Sequence, residues 1–200
     1  ANLAKSLTNY GMGKVIFFVG ERLSYPDEAI VQGSADSFCD YEGDALSVIY
    51  IENKEAEGLP STHGVKDSVF LRDKVPMTKE EVRCVSLAKL GLREDSVCYD
   101  VGAGTGSVSV EMALRTPKGR VYAIEKKETA VELLKKNKQK FMTDNLSVIE
   151  GVAPEALEAL EVPTHAFIGG SSGNMESILR LLLEKNPKIR VVINCIALES

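Results

Sequence analysis

The feature that most constrains this chain is the stretch from residue 78 onward, where short β-branched runs alternate with helical segments. The pattern predicts strands at 96–101, 120–125, 146–150, 165–168 and 189–196, with helices at 107–115, 127–141, 154–160 and 175–185. Strands joined through helices pair in parallel, and right-handed crossovers place the helices on both faces. The predicted fold class is α/β, a doubly wound, mostly parallel sheet. A further helix precedes the first strand: Thr78 and Glu81 have capping-box spacing, and Val82, Val85, Leu87 and Leu90 make its apolar face. Asn174 is the predicted N-cap of the last helix, and Pro187 stops it.

The first predicted strand ends in Asp100-Val101-Gly102-Ala103-Gly104-Thr105-Gly106. Gly102, Gly104 and Gly106 permit a tight turn and let backbone approach a ligand closely. The next helix opens there with free N–H groups. Glu125 ends the second strand nineteen residues after Gly106, where a carboxylate can take both hydroxyls of a ribose. A dinucleotide fingerprint would need a glycine where Ser107 or Ser109 stands. The D-x-G-x-G-x-G form instead suits S-adenosylmethionine, which has no pyrophosphate to cradle; the competing reading is a glycine turn that holds no ligand.

Two later turns border the same edge. In Glu150-Gly151-Val152-Ala153-Pro154, Val152 cannot hydrogen-bond by its side chain, so a ligand contact would come from backbone. An ordinary strand-to-helix turn with Pro154 at the helix start explains it equally well. After the fourth strand come Gly169, Gly170, Ser171, Ser172 and Gly173, facing the switch-point crevice. The D/N-P-P-Y/F stretch of amine and nucleobase methyltransferases is absent. A small polar wall leaves room for a bulky planar substrate or its carboxylates, or is a loop closed by Asn174.

Charge and composition exclude other classes. Net charge is −5, with 4 Lys and Arg against 10 Asp and Glu in residues 1–60 and near balance in the rest. Nothing supplies the basic surplus that a nucleic-acid backbone requires. Lys135, Lys136, Lys138 and Lys140 read as a solvated helix face. The apolar runs are too short to span a membrane, and no secretory signal is visible. Cys39, Cys84, Cys98 and Cys195 form no C-x-x-C pair; three lie in apolar contexts and read as buried thiols of a cytoplasmic protein. His63 and His165 support neither a metal cage nor a catalytic triad.

The N-terminal segment offers strands at 14–19 and 46–52, with a helix start at Pro26-Asp27-Glu28 between them: a β-α-β piece too small to hold a core alone. Residues 53–76 lack periodicity and read as a linker or covering arm.

Together, the runs PMTKEEVR (76–83), DVGAGTGSVSVE (100–111), EGVAPEAL (150–157), AFIGGSSGN (166–174) and INCIALES (193–200) resemble one family, the decarboxylating C15-methyltransferases of cobalamin biosynthesis. The resemblance extends over 76–200 and implies a Rossmann-like class I methyltransferase domain at 77–200. VGERLSYPDEAI (19–30) is similar to the end of the C5-methylating domain fused upstream in some members, which implies a tetrapyrrole-methylase remnant at 1–57 and a linker at 58–76.

Carried over by position, cofactor contacts fall on Thr78, Asp100, Gly102, Ala103, Gly104, Thr105, Gly106, Glu125 and Ala153. Glu125 stands where Asp is commoner, and Thr164-His165 where the fused enzymes tend to have Asp. The implied reaction joins loss of CO₂ from the ring-C acetate to methyl transfer onto C15 of an anionic tetrapyrrole, without a metal ligand set or an assigned catalytic residue. The near-neutral second part of the chain suits that substrate better than the acidic first part. The family's sheet continues with two strands after the fifth, so the chain is expected to stop short of them. The apolar 189–196 strand must then be covered by the N-terminal segment, paired with another molecule or left as an aggregation hazard, and a homo-oligomer is expected. The glycine signal is shared with class I enzymes acting on other small molecules or protein carboxyls, and with non-catalytic cofactor-binding modules.

Overall fold

The computed structural model describes residues 2–54 and 63–195. The 196–200 end of the family-like segment, and Gly58, Leu59 and Pro60 of the expected linker, lie outside the described residues. The chain divides into two compact units, Ala1–Gly58 and Leu59–Ser200.

The first unit holds helix α1 (Asn2–Asn9) and strands β1 (Ile16–Glu21), β2 (Ala29–Ser34) and β3 (Ser47–Glu52). The expected β-α-β piece is instead an antiparallel sheet in the order β2-β1-β3. No helix starts at Pro26 because the chain reverses there. Arg22 and Ser24 adopt left-handed φ, and the Ser24 N–H donates to the Glu28 carboxylate at 2.7 Å. Ile30 and Val31, β-branched, then enter β2 opposite Gly20 and Val19. Ala4, Phe17, Val19, Ala35 and Phe38 form the buried cluster of this unit.

The second unit follows the predicted alternation. Helix α2 (Glu80–Leu90) leads to β4 (Val97–Val101), α3 (Ser107–Arg115), β5 (Arg120–Glu125), α4 (Glu128–Lys140), β6 (Leu146–Glu150), β7 (His165–Ile168), α5 (Met175–Lys185) and β8 (Arg190–Ile193). The sheet is parallel in the order β6-β5-β4-β7-β8. Side chains alternate across it. Cys98, Val121, Ala123 and Phe167 pack with Leu87, Met112 and Leu134 on one face, and Tyr99, Ile124 and Ile168 with Leu157, Ile178 and Leu182 on the other. The helix expected at 154–160 is only a 3₁₀ turn, Glu155–Leu157. Among the described residues no helix is long and apolar enough to cross a membrane.

Helix α2 departs from its expected details. Its N-cap is Lys79, without a side-chain cap bond, so the Thr78–Glu81 box does not form. The Thr78 carbonyl instead accepts from Arg83 Nη1 at 2.6 Å. The buried face is Arg83, Ser86, Leu87 and Leu90, while Val82 and Val85 are exposed. The reason is a buried ion pair: Arg83 Nε donates to Glu111 Oε1 of α3 at 2.7 Å, both side chains fully inaccessible. Arg83 also reaches Asp67 and the Val65 carbonyl, and its guanidinium lies over the Phe70 ring. Residues 63–70 are thereby drawn into the core, where Val65 and Phe70 are buried. Of the four cysteines only Cys98, on the central strand β4, is buried; Cys39 and Cys84 are half-buried and Cys195, beyond the end of β8, is exposed.

Candidate functional site

The carboxyl ends of all five parallel strands deliver their loops to one edge, where they enclose a cleft of about 660 Å³. Of the predicted cofactor residues, Thr78, Gly102, Ala103, Gly104, Glu125 and Ala153 line it. Of the predicted substrate loop, Gly169, Gly170, Ser171 and Ser172 do so. Asp100, Thr105, Gly106 and Gly173 lie outside the cleft.

The glycine turn is shaped by the protein itself. Gly102, Gly104 and Gly106 all have left-handed φ, at 75°, 56° and 78°. A Cβ on Gly102 would stand 2.7 Å from the Gly170 carbonyl oxygen, and one on Gly106 2.7 Å from Leu134 Cγ. At Gly104 it would meet the Pro76 carbonyl oxygen at 2.9 Å. Gly102 and Gly106 therefore serve close packing of protein on protein rather than the approach of a ligand. The turn's N–H groups are also engaged internally: Gly102 and Ala103 donate to the Ile124 carbonyl, Gly106 to that of Ala103, and Gly104 to Glu125. This is no phosphate cradle, which would present such donors to the ligand.

Glu125, 8% exposed, takes Gly104 N–H on Oε2 at 2.8 Å and the N–H groups of Lys126 and Lys127 on Oε1, each at 2.9 Å. A carboxylate offers about four acceptor positions. One remains, on Oε2, so Glu125 can take one hydroxyl with its present contacts, not the two expected.

The positions outside the cleft have plain causes. Strand alternation puts Asp100 on the α3 face, where it accepts from the Ser109 hydroxyl. Burial pushes its carboxyl up to about 7, with the Glu125 charge adding to the rise and the Ser109 hydrogen bonds opposing it. Thr105 is buried, and its carbonyl accepts from Asn137 Nδ2 at 2.9 Å. Gly106 is the N-cap of α3, and Gly173, with φ 89°, makes the turn before α5. Asn174 holds the N-cap position of α5 without capping by its side chain; its Nδ2 donates instead to the Ala153 carbonyl at 2.9 Å, joining the turns after β6 and β7. His165 sits at the amino end of β7, bonded to Thr164 Oγ1, its pKa lowered by burial and by the charges of Arg190 and Arg93.

Several contributors escape the sequence pattern. Asn137, fully buried on α4 among the exposed lysines, bonds both N–H and C=O of Leu71 as well as the Thr105 carbonyl, tying the 63–76 arm to the glycine turn. Lys79, Lys126 and Lys127 line the cleft, where Glu125 is the acidic residue among the described ones. In a chain of net charge −5, that edge carries a cationic surplus. Proximity of Lys126 and Lys127 to Glu125 in sequence was the available signal.

A parallel sheet of this order, with a glycine turn after the first strand and an acidic residue ending the second, defines a class I methyltransferase fold. A family model described as a precorrin methyltransferase domain matches residues 68–200, and the chain belongs to that family. A relative from Sulfurisphaera tokodaii, named a probable cobalt-precorrin-6B C(15)-methyltransferase (decarboxylating), is 45% identical over 144 residues, 68% of this chain and 73% of the relative. The crystal structure of precorrin-6y C5,15-methyltransferase from Geobacter metallireducens is 37% identical, with a TM-score of 0.66, covering 68% of this chain and 74% of that one. The C-terminal domain of precorrin-6Y C5,15-methyltransferase from Rhodobacter capsulatus is 34% identical, with a TM-score of 0.64, covering 70% and 75%.

Proposed function

We propose that this chain is an S-adenosylmethionine-dependent C-methyltransferase of corrin biosynthesis, methylating C15 of a precorrin-6-type tetrapyrrole with loss of CO₂ from its ring-C acetate. The observation that carries the substrate is the cationic edge of the cleft in the part of the chain whose charge is otherwise near balance, together with the reaction named for relatives that match two thirds of the chain. An anionic macrocycle is drawn to such an edge. Glu125 would hold the cofactor's ribose. The carbonyls of the Gly102–Gly104 turn, whose N–H groups are engaged within the protein, would hold its amino group, and the Gly151–Ala153 turn its adenine. When bound, S-adenosylmethionine supplies an already activated methyl group, so the chain's own work is to orient and enclose the reactants. Gly169, Gly170, Ser171 and Ser172, which line the cleft, would form the wall that faces the macrocycle beside that site. The first unit is read as the tail of a C5-methylating domain, joined through the 58–76 linker to the methyltransferase domain at 77–200.

The test is turnover of cobalt-precorrin-6B with methyl-labelled S-adenosylmethionine. Equal amounts of methylated macrocycle and CO₂ are expected. Cofactor binding without either product would reduce the chain to a binding module.

A further inference from the structure

Lys79, Val82 and Ser86 stand at i, i+3 and i+7 along the start of α2 and share one stripe of the helix. Lys79 and Val82 line the cleft, and so does Asn194, just past β8. The Ser86 hydroxyl lies 2.8 Å from the Val82 carbonyl oxygen and 3.1 Å from Asn194 Oδ1, so its single proton is shared between them. The Asn194 N–H donates to the Ile168 carbonyl at 3.0 Å, which fixes its backbone at the end of the sheet. Asn194 lines the cleft, and with its amide oxygen held by Ser86 its two Nδ2 hydrogens have no acceptor among the described residues.

Lys79 is only loosely engaged. Its Nζ makes a long ion pair with Asp67 Oδ2 at 3.7 Å, beyond hydrogen-bonding distance, and the side chain is 59% exposed. Asp67 is already matched by the inaccessible Arg83 at 3.0 Å. The stripe thus presents a cation, an exposed apolar Val82, and an amide with two donors. Lys79, the N-cap, and Ser86 stand about two helical turns apart along α2, so the cation and the amide that Ser86 orients are set apart along the helix. A loosely paired cation at one end and amide donors without an acceptor at the other select anionic groups with several lone pairs, which are carboxylates on this substrate.

We infer that this edge of α2 reads the substrate: Asn194, oriented by Ser86, binds one peripheral carboxylate, Lys79 binds another, and Val82 meets the macrocycle between them. The assignment rests on the functional reading above and adds the residues that set substrate orientation.

Asn194→Asp is the decisive variant, because it keeps the side chain's shape and an oxygen for Ser86 while replacing two donors by negative charge. Cobalt-precorrin-6B binding is read from the macrocycle's absorbance, turnover from methyl transfer, and S-adenosylmethionine affinity from calorimetry on the whole chain. Asn194→Asp should raise KM and Kd for the tetrapyrrole by tenfold or more, leaving cofactor affinity within about twofold. Lys79→Met should raise them severalfold, by a factor that shrinks as salt is added. Unchanged tetrapyrrole affinity in Asn194→Asp overturns the assignment, as would be expected were the amide reversed with its acceptor toward the cleft. Equal loss of cofactor affinity overturns it as well, marking a general distortion. If the wild-type chain binds the tetrapyrrole without methylating it, the functional reading fails while the variant's binding still decides this one; no binding by the wild-type chain overturns both.

Discussion

Glu125 has two duties that a single substitution exposes together. It fastens the glycine turn through three backbone N–H groups and keeps one acceptor position for the cofactor. Glu125→Ala removes a charged acceptor, a loss of about 1.5–3 kcal/mol in S-adenosylmethionine binding, measured by calorimetry. A lowered melting temperature with unchanged affinity would leave Glu125 only its duty to the turn. Gly104→Val would be a poor probe of the same site, since φ of 56° and the Pro76 carbonyl strain it before any ligand arrives. Asp100 makes a separate prediction. Its carboxyl titrates at about 7 in the fold against 3.8 ordinarily, because burial favours the neutral acid. Between those values the folded state keeps a proton that the unfolded chain has released. Stability therefore falls as pH rises through this window, by up to about 1.4 kcal/mol per pH unit, and the fall ends above about 7. Asp100→Asn should remove that slope in denaturant titrations across the window. Parallel pH profiles for wild type and variant would mean that Asp100 is ionised throughout.

At the scale of elements, local chemistry made some assignments legible and concealed others. The parallel strands announced themselves as β-branched runs, and the Gly102–Gly106 turn as glycines that the structure holds at positive φ. The face of α2 was not legible. Arg83 reads as a surface residue in any periodicity count, and only its partner Glu111, 28 residues away on α3, makes its burial sensible. The buried Asn137 was hidden in the same way, its partners lying on Leu71 and Thr105. Breaking the ion pair should be severe. Arg83→Met leaves Glu111 buried without its guanidinium, and a loss of about 3–5 kcal/mol is expected in equilibrium unfolding. Arg83→Met with Glu111→Leu should recover part of it; no recovery would assign the loss to the remaining contacts, those of Arg83 with Asp67, Val65 and Thr78 and those of Glu111 with the Gly64 and Val65 N–H groups. The loop after β7 offers the opposite kind of test. A Cβ on Gly170 meets nothing within 4 Å, so Gly170→Leu fits the fold and projects into open space at a residue that lines the cleft. Tetrapyrrole turnover should drop while cofactor affinity stays within a few-fold. A collapse of cofactor binding in the folded variant would move this loop to the cofactor's side.

For the whole molecule, the two units differ in what their sequences disclosed. The second unit's architecture followed from alternation and crossover handedness, rules that act over short stretches of chain. The first unit's antiparallel pairing turned on a reversal at Arg22 and Ser24, non-glycine residues at positive φ that no turn motif advertised. Each unit carries its own buried cluster, and the candidate cleft belongs to the second. A cofactor that binds there stabilises the unit that holds it, by about 2.7 kcal/mol at a hundredfold excess over Kd. For a domain of this size the corresponding rise in melting temperature is about 5–10 °C. Calorimetric scans should therefore resolve two transitions, with S-adenosylmethionine moving one and leaving the other in place. A single transition that moves as a whole would show that the units unfold as one cooperative body, with the first unit's stability tied to the site of the second.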